Sequence, residues 1–374
     1  VEADGEHIRQ GEADIPSTLP HNATEIDLPI GSLPKSDTRE YFLTVKIVTK
    51  HAEGLIPKGH VIAFEQYRLP VVKDMFTVAK GELPTTEASE KEIKVNGNGF
   101  SIAFSKATGE MTSMRYGGNE LLIAGLQPNF WRGLTDNDVA NGTEVRCATW
   151  KNAGRDAKLM EVSERRDGNA IAITSVYDMA EQQSRLTVSY AIHPDGSVSV
   201  DYHFMPGNKT LPEMPRLGMR MILKKEYDHM AWFGRGPQEN YWDRKDGYAI
   251  GKYEATVWEQ YHPYVRAQET ANKTDVRWLT LTDKDGFGIK IEGSEPLSVS
   301  AWNFPMDDLL YRPAMVEHRH GGSIVKKPMV WLNIDHRQMG VGGDNTWGAQ
   351  VHPEYTIPPH EWQYSFTISP ITPK

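Results

Sequence analysis

Alternation with a period of two residues runs through this chain from near one end to the other. YFLTVKIV (41–48) sets Tyr41, Leu43, Val45 and Ile47 on one face, and HVIAFEQYRL (60–69) opposes Val61, Ala63 and Glu65 to Ile62, Phe64 and Gln66. Successive side chains of a strand point to opposite faces, so this pattern predicts strands with one face turned toward a core. A loop with Gly54 and Pro57 separates the two runs, which are expected to pair in a small sandwich. Three further pairs of alternating runs flank turn-forming residues. They are FSIAFSKATGEMTSMRYGG (100–118) around Thr108-Gly109, RLTVSYAIHPDGSVSVDYHF (185–204) around Pro194-Asp195-Gly196, and RWLTLTDKDGFGIKIEG (277–293) around Asp285-Gly286. Each predicts a hairpin. EWQYSFTISP (361–370) predicts a last strand. No long stretch keeps apolar residues at i, i+3, i+4 and i+7 between caps, so helices are expected to be few.

The polar, proline-containing stretch KGELPTTEASEKE (80–92) interrupts this style and reads as a linker. It divides the chain into residues 1–90, a size typical of an immunoglobulin-like β-sandwich, and residues 91–374. No second linker of like polarity follows, so the longer part is expected to be one large antiparallel sandwich. The predicted fold class is all-β.

Composition narrows the function classes. The chain has 374 residues, 10% aromatic and 24% charged, which is ordinary for a globular protein. A net charge of -9 argues against sequence-independent binding to nucleic acid. No apolar run is long enough to span a membrane. The single cysteine, Cys147, rules out an intrachain disulfide and a cysteine-based zinc site. The opening VEADGEHIRQGEADI has no basic or apolar leader region and no initiator methionine, which suits a processed product or an excised piece of something longer.

Several motifs carry candidate chemistry. Asp136-Asn137-Asp138 in RGLTDNDVANGTE resembles the start of a calcium loop, but Asn141 stands where such a loop needs glycine, so a self-capping polar loop is expected instead. His318 and His320 would share one face of a strand, yet no cysteine or carboxylate at suitable spacing completes a metal site. WFGRGPQENYWDR (232–244) suits a sugar-contacting or catalytic loop, and equally a buried polar corner held by a Glu239–Arg244 pair. YHPYVRAQETANKTDVRW (261–278) offers His262 and Glu269 as an acid–base couple, or Arg266, Glu269 and Asp275 as a salt network. VGGDNTWGAQ (341–350) places Trp347 in a glycine-rich turn, where its large apolar ring either packs beneath its own loop or faces a partner.

GRGPQENYWDR, HPYVRAQETANKTDVRW and WLNIDHRQMGVGGDNTWGAQVHPEY, in that order, resemble the C-terminal domain of bacterial β-galactosidases of glycoside hydrolase family 2. NFWRGLTDND is similar to the loop that opens that domain, and GHVIAFEQYRLP resembles the immunoglobulin-like domain before it. The resemblance covers nearly the whole chain. It implies an immunoglobulin-like sandwich followed by a large antiparallel super-sandwich of galactose-mutarotase-like type. It also implies absent upstream parts: a jelly-roll domain, a first immunoglobulin-like domain and a (β/α)₈ barrel. The barrel would carry both catalytic glutamates, roughly 5 Å apart as a retaining mechanism requires. This chain shows no repeating strand–helix pattern and therefore no barrel. A C-terminal fragment that is inactive alone, with no catalytic residue and no metal ligand of its own, is expected.

In this resemblance Trp347 matches the tryptophan that reaches into the barrel's active-site pocket. Asp344 and Asn345 would hydrogen-bond within the loop, or through water to the sugar. Asp136, Asn137 and Asp138 open a segment, 139–150, that borders the active site as a mobile loop in relatives, although the match loosens beyond Asp138. The implied partners are a β-galactoside, the upstream barrel and sandwich domains, and further copies in a homo-oligomer. Magnesium and sodium would sit in the barrel, and the compartment would be the bacterial cytoplasm or periplasm. Two other readings remain open. One is a stand-alone carbohydrate-binding module without hydrolase activity. The other is an independent mutarotase-like enzyme using His262 and Glu269 on one concave surface.

Overall fold

The computed structural model of the chain describes residues 1–73, 81–208, 210–310 and 320–373. The chain divides into two compact units, Val1–Val78 with Ala249–Lys252, and Ala79–Tyr248 with Tyr253–Lys374. Strands dominate both, so the fold class is all-β.

In the first unit, Tyr41–Val48 and Val61–Arg68 pair antiparallel, with Leu43 opposite Tyr67 and Val45 opposite Glu65. Glu2–Ala3 and Glu6–His7 complete a four-stranded sheet, and Ser36–Asp37 pairs in parallel with Val72–Lys73. Alternation predicted one buried face along 41–48. Burial holds only at the start: Tyr41 and Phe42 are buried, whereas Ile47 is 42% exposed. The core here is small, built on Ala3, Tyr41 and Val71, and a core of that size cannot cover a full eight-residue strand.

The second unit holds a five-stranded sheet (85–120) and a much larger one. Of the stretch read as a linker, Thr85–Ala88 is in fact the edge strand of the five-stranded sheet, paired with Glu92–Gly97. An edge strand with little to bury tolerates polar residues, which is why its composition mimics a linker. In the larger sheet nine strands follow one another as Leu122–Asn129, Arg216–Lys224, Met329–Gln338, Gly288–Trp302, Trp362–Ile371, Val198–Met205, Ser184–Ile192, Ala170–Met179 and Lys158–Asp167. Lys273–Thr282 branches from Gly288–Trp302 and leads to His229–Gly236. The three expected hairpins and the last strand are all present, and Gly109, Gly196 and Gly286 take φ of 70°, 82° and 82°, a left-handed turn conformation that glycine adopts without strain. The α-helices among the described residues are short, at Asp136–Ala140, Thr143–Arg146 and Ala153–Asp156, all within one connection between strands.

Two central strands show how the sheet positions a polar surface. Met219, Met221 and Leu223 alternate with Arg216, Gly218 and Arg220, and Leu332 and Ile334 alternate with Trp331, Asn333 and Asp335. The register pairs Met221 with Leu332 and Arg220 with Asn333. The first set joins a core that also contains Trp150, Tyr190, Phe204 and Ile368, while the second set carries the charged and amide groups discussed below. Leu332→Ala should therefore open a cavity in a fully buried position and cost about 2–5 kcal/mol. Urea unfolding of the purified chain measures this, and a loss under about 1 kcal/mol would place Leu332 outside the core.

Candidate functional site

Arg132 is the root of the loop that carries Trp347. Its guanidinium is fully buried and grips Asp138 with Nε at 3.0 Å and Nη2 at 2.9 Å. The same fork donates to the carbonyl of Gly340 at 2.9 Å and to that of Met339. Asp138 also closes a reciprocal cap with Thr135: Thr135 Oγ1 accepts from the Asp138 amide at 3.1 Å, and Asp138 Oδ2 accepts from the Thr135 amide at 3.0 Å. Asp138, expected at the edge of an active-site loop, is thus buried and engaged by Arg132 and the backbone. The segment after it, which the resemblance implies to be a mobile loop, is made of short helical turns with Gly142 in the left-handed region.

Asp243 supplies the second anchor. Its carboxylate accepts from the amides of Val341 at 3.0 Å and Gly342 at 2.6 Å. A Cβ at Gly340 would lie 2.8 Å from that carboxylate, so the close approach depends on glycine. Asn137 adds a bond to the Val341 carbonyl at 3.3 Å. Farther along, Asn345 Oδ1 accepts from the amides of Trp347 at 2.8 Å and Ala349 at 3.4 Å. Asp344 pairs with His352 at 2.8 Å, and this hydrogen bond raises the imidazole pKa above its ordinary value. The Trp347 side chain itself packs under nothing: the residue is 90% exposed. Leaving an indole in water forgoes about 2–3 kcal/mol of burial free energy, so a loop this firmly held presents it against the usual preference.

The other motifs are mostly architectural. Glu239 accepts from the Ala271 amide at 2.7 Å, Thr270 Oγ1 at 3.0 Å and Arg244 at 2.8 Å, and also bonds the Tyr264 hydroxyl. Asn240 Oδ1 accepts from the Thr274 amide at 2.8 Å. GRGPQENYWDR is therefore a polar corner stitched to residues 270–274. The alternative Arg266–Glu269–Asp275 network does not form among the described residues. Arg266 pairs with Asp136 at 3.1 Å, Glu269 with Arg216 at 2.9 Å, and Asp275 with Arg235 at 2.6 Å and Lys245 at 2.9 Å. Asp136, Asn137, Glu239, Tyr241 and Gln268 line a cavity of about 150 Å³, with Val341 at its edge.

His262 and Glu269 do not form a couple. His262 is exposed with its ring against Tyr264, whereas Glu269 is buried, its oxygens accepting from Arg216 at 2.9 Å, Gln338 at 3.1 Å and the Gly133 amide at 3.0 Å. Arg216 also lies 3.5 Å from Asp335, whose two carboxyl oxygens have no hydrogen-bond partner among the described residues. Burial raises the Asp335 carboxyl to about 8, reinforced by the charge of Glu269 and opposed by Arg216. His318 lies outside the described residues, and among the described residues no group of three or more His, Cys, Asp or Glu could hold a metal ion. Sequence reasoning left Arg132 and Asp243 without their anchoring roles. Both sit inside the quoted motifs, but nothing local says that their targets are backbone groups some 100 to 200 residues away.

Comparison with known proteins gives a consistent picture. The family model described as β-galactosidase small chain matches residues 96–368, and that described as β-galactosidase domain 4 matches residues 1–70. The β-galactosidase of Priestia megaterium is 32% identical over 99% of this chain and 35% of its own length. That of Halalkalibacterium halodurans is 30% identical over 89% of this chain and 33% of its own. This chain thus spans about a third of the length of these relatives. A solved structure with some likeness is galactose 1-epimerase from Lactobacillus acidophilus NCFM, with a TM-score of 0.46 and 7% identity, covering 79% of this chain and 100% of that one.

Two predictions follow from the buried charges. Asp138→Ala leaves the Arg132 cation buried without its carboxylate and should cost about 3–5 kcal/mol, whereas Asp136→Ala, at a half-exposed ion pair, should cost less than about 1 kcal/mol. Urea midpoints of the two variants compare them directly. Asp335 has a folded pKa near 8 against 3.8 for a free carboxyl, so its contribution is full below the lower value and is lost as pH rises through the higher one. Asp335→Asn, which mimics the protonated acid, should flatten that loss and be the more stable form at about pH 8, as read from unfolding midpoints across the range.

Proposed function

Because this chain belongs to the β-galactosidase small-chain family, we propose that it is the C-terminal part of a retaining β-galactosidase and supplies one wall of a sugar pocket completed by a barrel elsewhere in the enzyme. The observation that carries this reading is Trp347, an indole held out in solvent by a loop fixed at Met339–Gly342 and again at Asn345. A pyranose ring has C–H-rich faces that pack on an aromatic surface, while its hydroxyls need polar partners at the rim. A platform already held in place loses little conformational entropy when the sugar arrives.

The roles divide accordingly. Trp347 packs on the sugar. Asn345 and Asp344 shape the loop, with their remaining lone pairs available to hydroxyls directly or through water. Asp136 and Asn137 stand at the edge of the same surface, Asn137 bonded to the base of the loop. Bond cleavage is assigned to two glutamates of the barrel, one as nucleophile and one as acid and base, so the chain alone has no hydrolytic activity. Magnesium and sodium belong to the barrel in this reading, and the whole enzyme is a homo-oligomer.

The test is Trp347→Ala in the full-length enzyme. Loss of an aromatic contact worth about 1–3 kcal/mol should lower kcat/KM for a chromogenic β-galactoside by roughly 5- to 100-fold, with Trp347→Phe between the two. Thermal unfolding should be unchanged, because the residue is 90% exposed. Unaltered kinetics in the alanine variant would remove Trp347 from the pocket.

A further inference from the structure

A cavity of about 260 Å³ opens on the polar face of the large sheet, away from the residues given roles above. Strand register builds it. Gln127, Arg220 and Asn333 stand side by side on three neighbouring strands, and the next position along that face pairs Ile222 with Trp331, which in turn faces Trp302. The amides are held in fixed positions: Asn129 Nδ2 donates to Asn333 Oδ1 at 3.1 Å, and Asn333 Nδ2 donates to Ser300 Oγ at 3.1 Å. The short turn Met306–Leu309 brings Asp307 to the edge.

Charge singles out one residue. Of the cations lining the cavity, Lys151 pairs with Glu144 at 3.2 Å and Arg155 with Asp156 at 3.1 Å. The Arg220 backbone is paired with Gln127 and Asn333, but its guanidinium has no hydrogen bond or ion pair to any described residue, although the residue is partly buried. Burial pushes its pKa down, and the attraction of Asp307 opposes this without contact. A partly buried guanidinium lacking a partner is unfavourable in the empty protein and becomes favourable once a carboxylate fills its fork. Indole walls, fixed amides and an acceptor at the edge are what a polyhydroxylated ring needs, and pockets for larger, drug-sized ligands begin near 300 Å³, so this volume suits a single ring.

We propose that this cavity is a second carbohydrate site that takes an acidic monosaccharide, a pyranose bearing a carboxylate. The carboxylate lies on Arg220, the ring packs against Trp331, and Asp307 and Asn333 receive the hydroxyls. This site is independent of Trp347 and of the pocket proposed above.

Calorimetric titration of the whole chain with galacturonate, galactose and acetate tests it. Galacturonate should bind at least ~10-fold more tightly than either galactose or acetate, the difference expected of a charge-assisted pair. Arg220→Met should abolish that preference with little change in the melting profile, since the Arg220 guanidinium bonds to no described residue. Trp347→Ala should leave galacturonate binding intact. Equal affinity for galactose and galacturonate would overturn the acidic class, and acetate binding as tightly as galacturonate would reduce the site to a simple anion site. Absence of galacturonate binding, binding unaffected by Arg220→Met, or binding lost in Trp347→Ala would overturn the site itself.

Discussion

One buried arginine ties together parts of this protein that lie far apart in sequence. The Arg132 guanidinium is out of water and meets a carboxylate on one side and two backbone carbonyls on the other. A buried cation is tolerated only when its donors are satisfied, so the geometry around Arg132 is strongly constrained. That constraint fixes the start of the helix at Asp136 through Asp138, and it fixes the base of the Trp347 loop through Met339 and Gly340. Asp243 does the same from the opposite charge, taking two loop amides into one carboxylate. Trp347 leaves this base with its backbone held by Asn345 and its indole in solvent.

The large sheet divides labour between its faces. Strands such as Arg216–Lys224 and Met329–Gln338 send methionine, leucine and isoleucine inward, and send arginine, asparagine, aspartate and tryptophan to the other side. The polar side then varies along its length. At one end Arg216, Glu269, Gln338 and Asp335 are closed off from solvent, where burial keeps the Asp335 carboxyl protonated near neutrality. Further along the same face the surface opens at Arg220, whose charge meets no acceptor among the described residues. The closed cluster is partly paired, with Glu269 bonded to Arg216 and Gln338 and the Asp335 carboxyl left without a hydrogen bond among the described residues, whereas an open cavity with a cation that bonds to no described residue suits a ligand.

Most of the fold was legible in the chain itself. Strict alternation between glycine-containing turns marked three hairpins and the last strand, and the lack of helical periodicity matched the few short helices. The linker reading of 80–92 failed in part because an edge strand has no need of apolar residues, so Thr85–Ala88 leaves no hydrophobic signature. Burial along 41–48 was overread for a related reason: alternation tells which residues share a face, not how far a core extends beneath it.

The chemistry divides in the same way. Residue types and local order alone determined that Trp347 sits in a glycine-rich turn, that Glu239 and Arg244 suit a polar corner, and that a strand-rich chain without strand–helix repeats has no barrel. Only the tertiary structure decided that Asp138 is buried under Arg132, that Glu269 faces Arg216 instead of His262, and that the Arg220 guanidinium, near Trp331, bonds to no described residue. The reason is physical. A side chain's partners across a β-sandwich come from strands that are distant in sequence, and charge, exposure and pKa follow from those partners rather than from neighbours along the chain.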